Sequence, residues 1–119
     1  MKFKLLLYLL SGKLKAASKK NHAFKEFIRG KTLKALIKTA DNKAGRLFIF
    51  NRGEVSSVPG IHDADCALVW SDPGTAFKVM TSGNEEASLA ALTEKKLIVE
   101  GNYKDFAWFS KALSKMTTR

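Results

Sequence analysis

This sequence has little that covalent or metal chemistry would need. Its 119 residues include one cysteine, Cys66, and two histidines, His22 and His62. A single cysteine excludes an internal disulfide and a cysteine-based zinc cluster. Two histidines with no metal-ligand spacing around them argue against a metalloenzyme, and a reducing, intracellular compartment is the expectation. Only Pro59 and Pro73 are proline, and both read as punctuation. The longest apolar run, Leu5–Leu10, falls far short of the ~20 residues that a membrane-spanning helix needs. It is also short for the core of a signal peptide. Lys13 and Lys15 then stand where a cleavage site should follow, so the head is expected to stay on the chain. Thr117-Thr118-Arg119 is not a peroxisomal address. There is no internal repeat, no Gly-x-Ser-x-Gly elbow, no phosphate-binding loop and no dinucleotide glycine pattern.

The chain has the length and composition of one globular domain, residues 1–119, with 45% hydrophobic and 27% charged residues. Its net charge is +10, and the excess is concentrated at one end. Residues 1–31 hold nine lysines and arginines against one acid, Glu26. A cationic head on a near-neutral body implies a contact with something anionic.

Periodicity predicts a helix over residues 2–10, with Phe3, Leu6, Leu7, Leu10 and Leu14 on one face. Leu5, Tyr8 and Leu9 would thicken that face, and Ser11-Gly12 is a weak break. A second helix is expected over about 22–29. The pattern then alternates. Thr32–Thr39, Arg46–Asn51 and Glu54–Val58 read as an antiparallel meander, with turns at Asp41–Gly45 and Asn51–Glu54. Ala64–Trp70 reads as a fourth strand. Asp72-Pro73 opens a helix that should reach about Ser82, with Gly83 as its C-cap. Asn84-Glu85-Glu86 opens another. Leu97–Glu100 is a fifth strand, and Asn102 caps a last helix with Phe106, Phe109, Leu113 and Met116 on one face. The fold class is therefore α+β, with a five-stranded, mainly antiparallel sheet and helices packed on one face.

No catalytic set emerges. His62-Asp63-Ala64-Asp65 is turn-rich and reads as solvated loop polarity. Glu85-Glu86 suits a helix N-terminus, where acids oppose the helix dipole. Cys66 sits in an apolar strand pattern with nothing nearby in sequence to lower its pKa. Large apolar side chains are what the sequence does supply, and they could form either a packed core or a lined pocket.

The segment Ala64-Asp65-Cys66-Ala67-Leu68-Val69-Trp70 precedes a helix ending Met80-Thr81-Ser82-Gly83. Lys96-Leu97-Ile98-Val99-Glu100-Gly101-Asn102 follows further on. This ordered set resembles the sterol carrier protein type 2 family, and with the meander the resemblance covers about 80 to 90 residues. Where the family places glycine before the last-strand lysine, this chain has Lys95, which predicts an altered loop. The resemblance implies a non-catalytic, cofactor-free domain that binds or transfers a fatty acid, acyl-CoA, phospholipid or sterol-like ligand in an apolar tunnel. By position, the tunnel-facing strand residues would be Phe48, Phe50, Cys66, Leu68, Trp70, Leu97 and Val99. The helix residues facing them would be Phe77, Met80, Leu89, Leu92, Phe106 and Phe109. For the Phe48/Phe50 pair the alternation is ambiguous, because Leu47 and Ile49 are equally apolar. Small bacterial members with roles in quinone synthesis supply the rival reading, an accessory or scaffold protein that kept the fold and filled the tunnel.

The basic head is expected to form an amphipathic helix over 2–20 that meets anionic membranes at the inner face of a cytoplasmic bilayer. Leu5, Leu6, Leu9 and Leu10 would enter the interface, and Lys2, Lys4, Lys13, Lys15, Lys19 and Lys20 would meet lipid phosphates. Burial of the same leucines against the sheet, or in a homodimer, is the competing expectation. Nucleic acid is disfavoured, since no recognisable binding motif is present.

Overall fold

In the computed structural model, residues 2–82 and 85–117 are described. The first helix, α1, runs unbroken from Lys2 to Lys20. Its buried residues are Phe3, Leu7, Leu10, Ser11, Leu14 and Ala17. Apart from Ser11 they step by four and three, which keeps one narrow stripe against the core. Burial of that stripe on both sides of Ser11-Gly12 outweighs the ~1 kcal/mol that a helical glycine costs. The Ser11 hydroxyl also donates to the Tyr8 carbonyl at 2.6 Å, inside the helix. The expected thickening of the inner face does not occur, because Leu5, Tyr8 and Leu9 are exposed. Leu10 is in the core and so is unavailable to a membrane interface.

The second helix, α2 (His22–Ile28), starts at an N-cap. The Asn21 side chain accepts from Phe24 N at 3.1 Å, which satisfies one of the helix's orphan donors. Phe24 and Ile28 are buried beneath it.

Five strands follow the expected order: β1 (Thr32–Thr39), β2 (Gly45–Asn51), β3 (Glu54–Pro59), β4 (Cys66–Trp70) and β5 (Leu97–Gly101). Their spatial order is β3-β2-β1-β4-β5. The β1–β2, β2–β3 and β4–β5 pairs are antiparallel, while β4 runs parallel to β1. The parallel pair follows from the path of the chain, which leaves β3 at one edge and crosses two strands before adding β4. Asp65 pins the end of that crossover, where its carboxylate accepts from Lys34 N at 2.9 Å. All five residues of β4 are buried, so this strand has apolar contacts on both faces.

Helices α3 (Pro73–Ser82), α4 (Glu85–Thr93) and α5 (Tyr103–Thr117) complete the layer with α1 and α2. The sequence reading of Gly83 and Asn84 falls outside the described residues, as does that of the Met116 side chain. Asp72 caps α3. Its carboxylate accepts from Thr75 N at 2.7 Å and from the Thr75 hydroxyl at 2.8 Å. The bond from the Thr75 amide, then that from its hydroxyl, holds the Asp72 pKa below the ordinary carboxylate value. A depressed folded-state pKa stabilises the fold above the unfolded pKa and loses that contribution as pH falls through the folded value. Asp72→Ala is therefore expected to cost about 1 kcal/mol at neutral pH, the usual worth of such a cap. The difference from the parent should shrink in urea melts below the ordinary carboxylate range.

The end of α4 explains the departure at Lys95. Lys95 N donates to Leu92 O at 3.1 Å and Lys96 N to Ala91 O at 2.8 Å. This is a Schellman turn, whose C′ residue must be left-handed, and Lys95 has φ 61°. The loop thus takes a glycine-type conformation without a glycine. Lys95→Gly is expected to raise stability by about 0.5–1 kcal/mol, since relief of the strain exceeds the added freedom of the unfolded chain. A higher urea midpoint with unchanged slope would show it.

Candidate functional site: an apolar core and a cationic cavity

The register of the sheet decides which side chains face the helices. Leu33 pairs with Phe50 and Ala35 with Phe48, so both phenylalanines share the face of Leu33, Ala35 and Ile37. Beyond them on that face come Cys66, Leu68 and Trp70 of β4, then Val99 and Leu97 of β5. Leu47 and Ile49 lie on the other face with Leu36, Ala67 and Val69, in a second, smaller apolar cluster. The ambiguity of β2 is thereby resolved. Small Ala35 leaves room beside Phe48 for a ring to descend from α5.

That ring belongs to Phe109. Its centroid lies 6.1 Å from Phe48 and 5.9 Å from Phe50. Trp108 meets Phe50 edge-on at 5.0 Å and stacks on Phe27 of α2 at 5.3 Å. Lys31 pairs with Asp105 at 3.3 Å and lies 5.6 Å from the Trp108 ring, tying the start of β1 to α5.

Most of the expected tunnel residues therefore belong to one buried apolar cluster. Phe48, Phe50, Cys66, Leu68, Trp70, Leu97, Phe106 and Phe109 are buried, and Met80, Leu92 and Val99 pack partly buried against them. Phe77 is half-buried. Leu89 does not face the strands: it is 61% exposed, and α4 turns Ala91 and Leu92 inward instead. Leu33, Ile37, Leu7 and Leu14 belong to the same cluster, although the resemblance did not place them among the tunnel residues. The alternation of β1 carried the signal for Leu33 and Ile37, and the four-three step of α1 carried it for Leu7 and Leu14.

Two members of this cluster, Cys66 and Trp70, carry polar groups. Burial, then the negative charges of Asp105 and Asp65, push the Cys66 thiol up to about 11. A thiol that stays protonated at neutral pH is a weak nucleophile, so Cys66 behaves as a small apolar residue. The Trp70 indole N–H is buried and finds no acceptor among the described residues. A buried donor without a partner costs roughly 1–3 kcal/mol.

A separate cavity of about 310 Å³ opens at the end of the sheet. It is lined by Lys4 and Leu7 of α1, by residues 42–46 of the β1–β2 turn, and by Pro59, Gly60 and Ile61. His62 and Asp63 are exposed, and His62 Nε2 lies 2.9 Å from the Pro59 carbonyl, as suits loop polarity. Among the described residues, no three His, Cys, Asp or Glu side chains cluster to hold a metal, and no helix is long and apolar enough to cross a membrane.

No protein-family model matches the chain, and no curated protein matches it in sequence. Solved structures do match. A UbiJ-SCP2 ubiquinone synthesis protein is 17% identical, with a TM-score of 0.64 over 100% of this chain and 98% of that one. A crystal structure of sterol carrier protein 2 is 13% identical, with a TM-score of 0.65 over 91% and 90%. A conserved hypothetical protein of Thermus thermophilus is 16% identical, with a TM-score of 0.59 over 91% and 81%. At these identities the likeness establishes the fold. The five-stranded, mostly antiparallel sheet with helices on one side is that of the sterol carrier protein 2 domains.

Proposed function

We propose that this chain is a non-catalytic lipid-handling domain that admits a long apolar ligand, such as an acyl chain, between the sheet and α3–α5. The observation that carries this reading is the Trp70 indole N–H, buried without an acceptor among the described residues in an otherwise apolar cluster. A carbonyl, carboxylate or hydroxyl on the ligand would satisfy that donor while its chain lay among Leu68, Leu97 and Phe109. Partly buried Val79, Met80, Leu92, Val99 and Leu113 flank the buried cluster and would part first. The fold shared with sterol carrier protein 2 supports the same reading.

Native mass spectrometry of protein purified from cells should detect a fatty acid or phospholipid. Trp70→Phe, which removes the donor and keeps an aromatic ring at the cost of some buried volume, should weaken binding of a fluorescent fatty acid roughly tenfold, the usual worth of one buried hydrogen bond. A ligand-free protein that also ignores fluorescent acyl chains would remove the proposal.

One observation favours a second reading, an accessory protein with no ligand of its own. Phe48, Phe50, Trp108 and Phe109 interlock across the space between β2 and α5. The near full-length likeness to a ubiquinone synthesis protein fits that alternative. The same titration separates the two.

A further inference from the structure

Arg46 is the misfit of the inner sheet face. It shares the phase of Phe48 and Phe50, where strand alternation calls for an apolar residue. Its Nη1 donates to the Ser57 hydroxyl at 2.7 Å, and its guanidinium lies 5.6 Å from the ring of Tyr8 on α1. Among the described residues, the Nε–Nη2 edge, a pair of parallel N–H donors, is left without an acceptor.

Arg46 lines the cavity at the end of the sheet together with two other cations, Lys4 and Lys43. They come from β2, α1 and the β1–β2 turn, and among the described residues no carboxylate joins them. Like charges gathered without an acid oppose folding, so stability does not account for the cluster.

The acceptors around this cavity are already taken. Among the described residues, Asn42 has the one side-chain acceptor of the lining, and its Oδ1 accepts from Lys38 Nζ at 2.7 Å. The Ala44 carbonyl accepts from Thr39 N at 3.0 Å, and the Gly45 carbonyl from Gly60 N at 2.9 Å. The Pro59 carbonyl lies 2.9 Å from His62 Nε2. Asp41, the acid of the same turn, accepts from the Thr39 hydroxyl at 2.7 Å and from Lys43 N at 3.0 Å. What the lining has left to offer is donors and positive charge, which selects an anion.

The rest of the wall is apolar, with Leu7, Ala44, Pro59 and Ile61. Ile61 lies close over the turn because position 45 has no side chain: a Cβ on Gly45 would come within 2.5 Å of Ile61 Cδ1. At about 310 Å³ the cavity is within the range of small-ligand sites. Cations on one part of the wall and apolar side chains on the other fit a small organic molecule that carries a phosphate.

We propose that Lys4, Lys43 and Arg46 bind the phosphate of a small, water-soluble phosphate monoester whose organic part lies on Leu7 and Ile61. The free edge of Arg46 takes two phosphate oxygens side by side, while the lysines act as point charges. The site is separate from the apolar core and holds whether or not that core admits a lipid.

Phenyl phosphate, inorganic phosphate and benzoate are the probes, each titrated into the full chain while amide chemical shifts are followed by NMR. Phenyl phosphate should saturate at one per chain and shift the amides of Lys43, Gly45, Arg46 and Ile61. Inorganic phosphate should shift the same amides and bind more weakly, since it leaves the apolar wall uncovered. Benzoate keeps the ring but has a single charge, and should bind roughly tenfold more weakly than phenyl phosphate. Lys43→Gln/Arg46→Gln should lower the affinity for phenyl phosphate roughly tenfold or more. Lys104→Gln/Lys111→Gln removes the same charge from α5 and should change it by less than about threefold. Ile61→Ser should weaken phenyl phosphate and leave inorganic phosphate unchanged. If losing Arg46 disturbs the fold, Lys4→Gln/Lys43→Gln carries the test, since both side chains are exposed.

Equal losses in the α5 control, or shifts that spread to α5 without saturating, would reduce the effect to net charge and overturn the site. So would undiminished binding by the cavity variants. Inorganic phosphate binding as tightly as phenyl phosphate, with no effect of Ile61→Ser, would overturn the monoester assignment. Benzoate binding as tightly as phenyl phosphate would overturn the choice of phosphate.

Discussion

Gly101→Ala is expected to destabilise the fold by about 3 kcal/mol or more, among the largest effects of any single substitution. Gly101 has φ 88°, a conformation that costs a side-chain-bearing residue roughly 1–2 kcal/mol by itself. A Cβ there would also meet the Asp65 carbonyl oxygen and lie 3.0 Å from Cys66 Cα. Both are backbone atoms, so no rotamer change relieves the contact. The strand ends must separate instead, and Gly101 is paired with Cys66 in the β4–β5 ladder. The damage should spread to the Asp65–Lys34 junction, because Asn102 N and Gly101 both lie against Asp65. Gly12→Ala is the control. A Cβ at Gly12 meets nothing within 4 Å, so alanine should stabilise α1 by up to about 1 kcal/mol. Urea unfolding of the two variants should move the midpoint in opposite directions. A Gly101→Ala protein as stable as the parent would mean that β4 and β5 meet otherwise than described.

Phe109→Ala should cost about 3–5 kcal/mol, the usual range for deleting a buried ring. Phe109 is fully buried, and its ring touches both inward phenylalanines of β2. Its removal deletes the contact between α5 and the centre of the sheet and leaves a void that flanking aromatics cannot easily fill. That void lies where an acyl chain is proposed to enter. If the acyl chain lies there, a long-chain fatty acid should stabilise both proteins, and Phe109→Ala by more than the parent. Compared with a natural stability of about 5–15 kcal/mol, the ligand-free variant should be close to unfolding. A thermal midpoint within a few degrees of the parent would contradict the packing.

The boundaries of most elements were legible in the sequence. β1 spans the expected Thr32–Thr39, with Leu33, Ala35 and Ile37 on its inner face and Leu36 buried in the smaller cluster on the other. The start of α3 follows from Asp72-Pro73, and that of α5 from Asn102, whose side chain accepts from Lys104 N at 2.8 Å. These signals are local: a cap or a period is written within a few residues, and its physics acts over the same distance.

What only the tertiary structure decided depends on partners distant in the chain. Leu47/Ile49 and Phe48/Phe50 are equivalent on hydrophobicity, and the choice between them came from pairing with β1 and the descent of Phe109. Ser11-Gly12 reads as a break until the core is seen to run beneath both halves of α1. Leu5, Leu9 and Leu10 look alike in sequence, yet only Leu10 is buried, because the helix offers the sheet a stripe narrower than its leucines could fill. That Arg46 and Lys4 meet around one cavity, with α2 and β1 between them in the chain, is a property of the folded path. Local sequence sets the phase of each element, whereas the faces that meet are chosen by which packing buries the most apolar surface without stranding a charge.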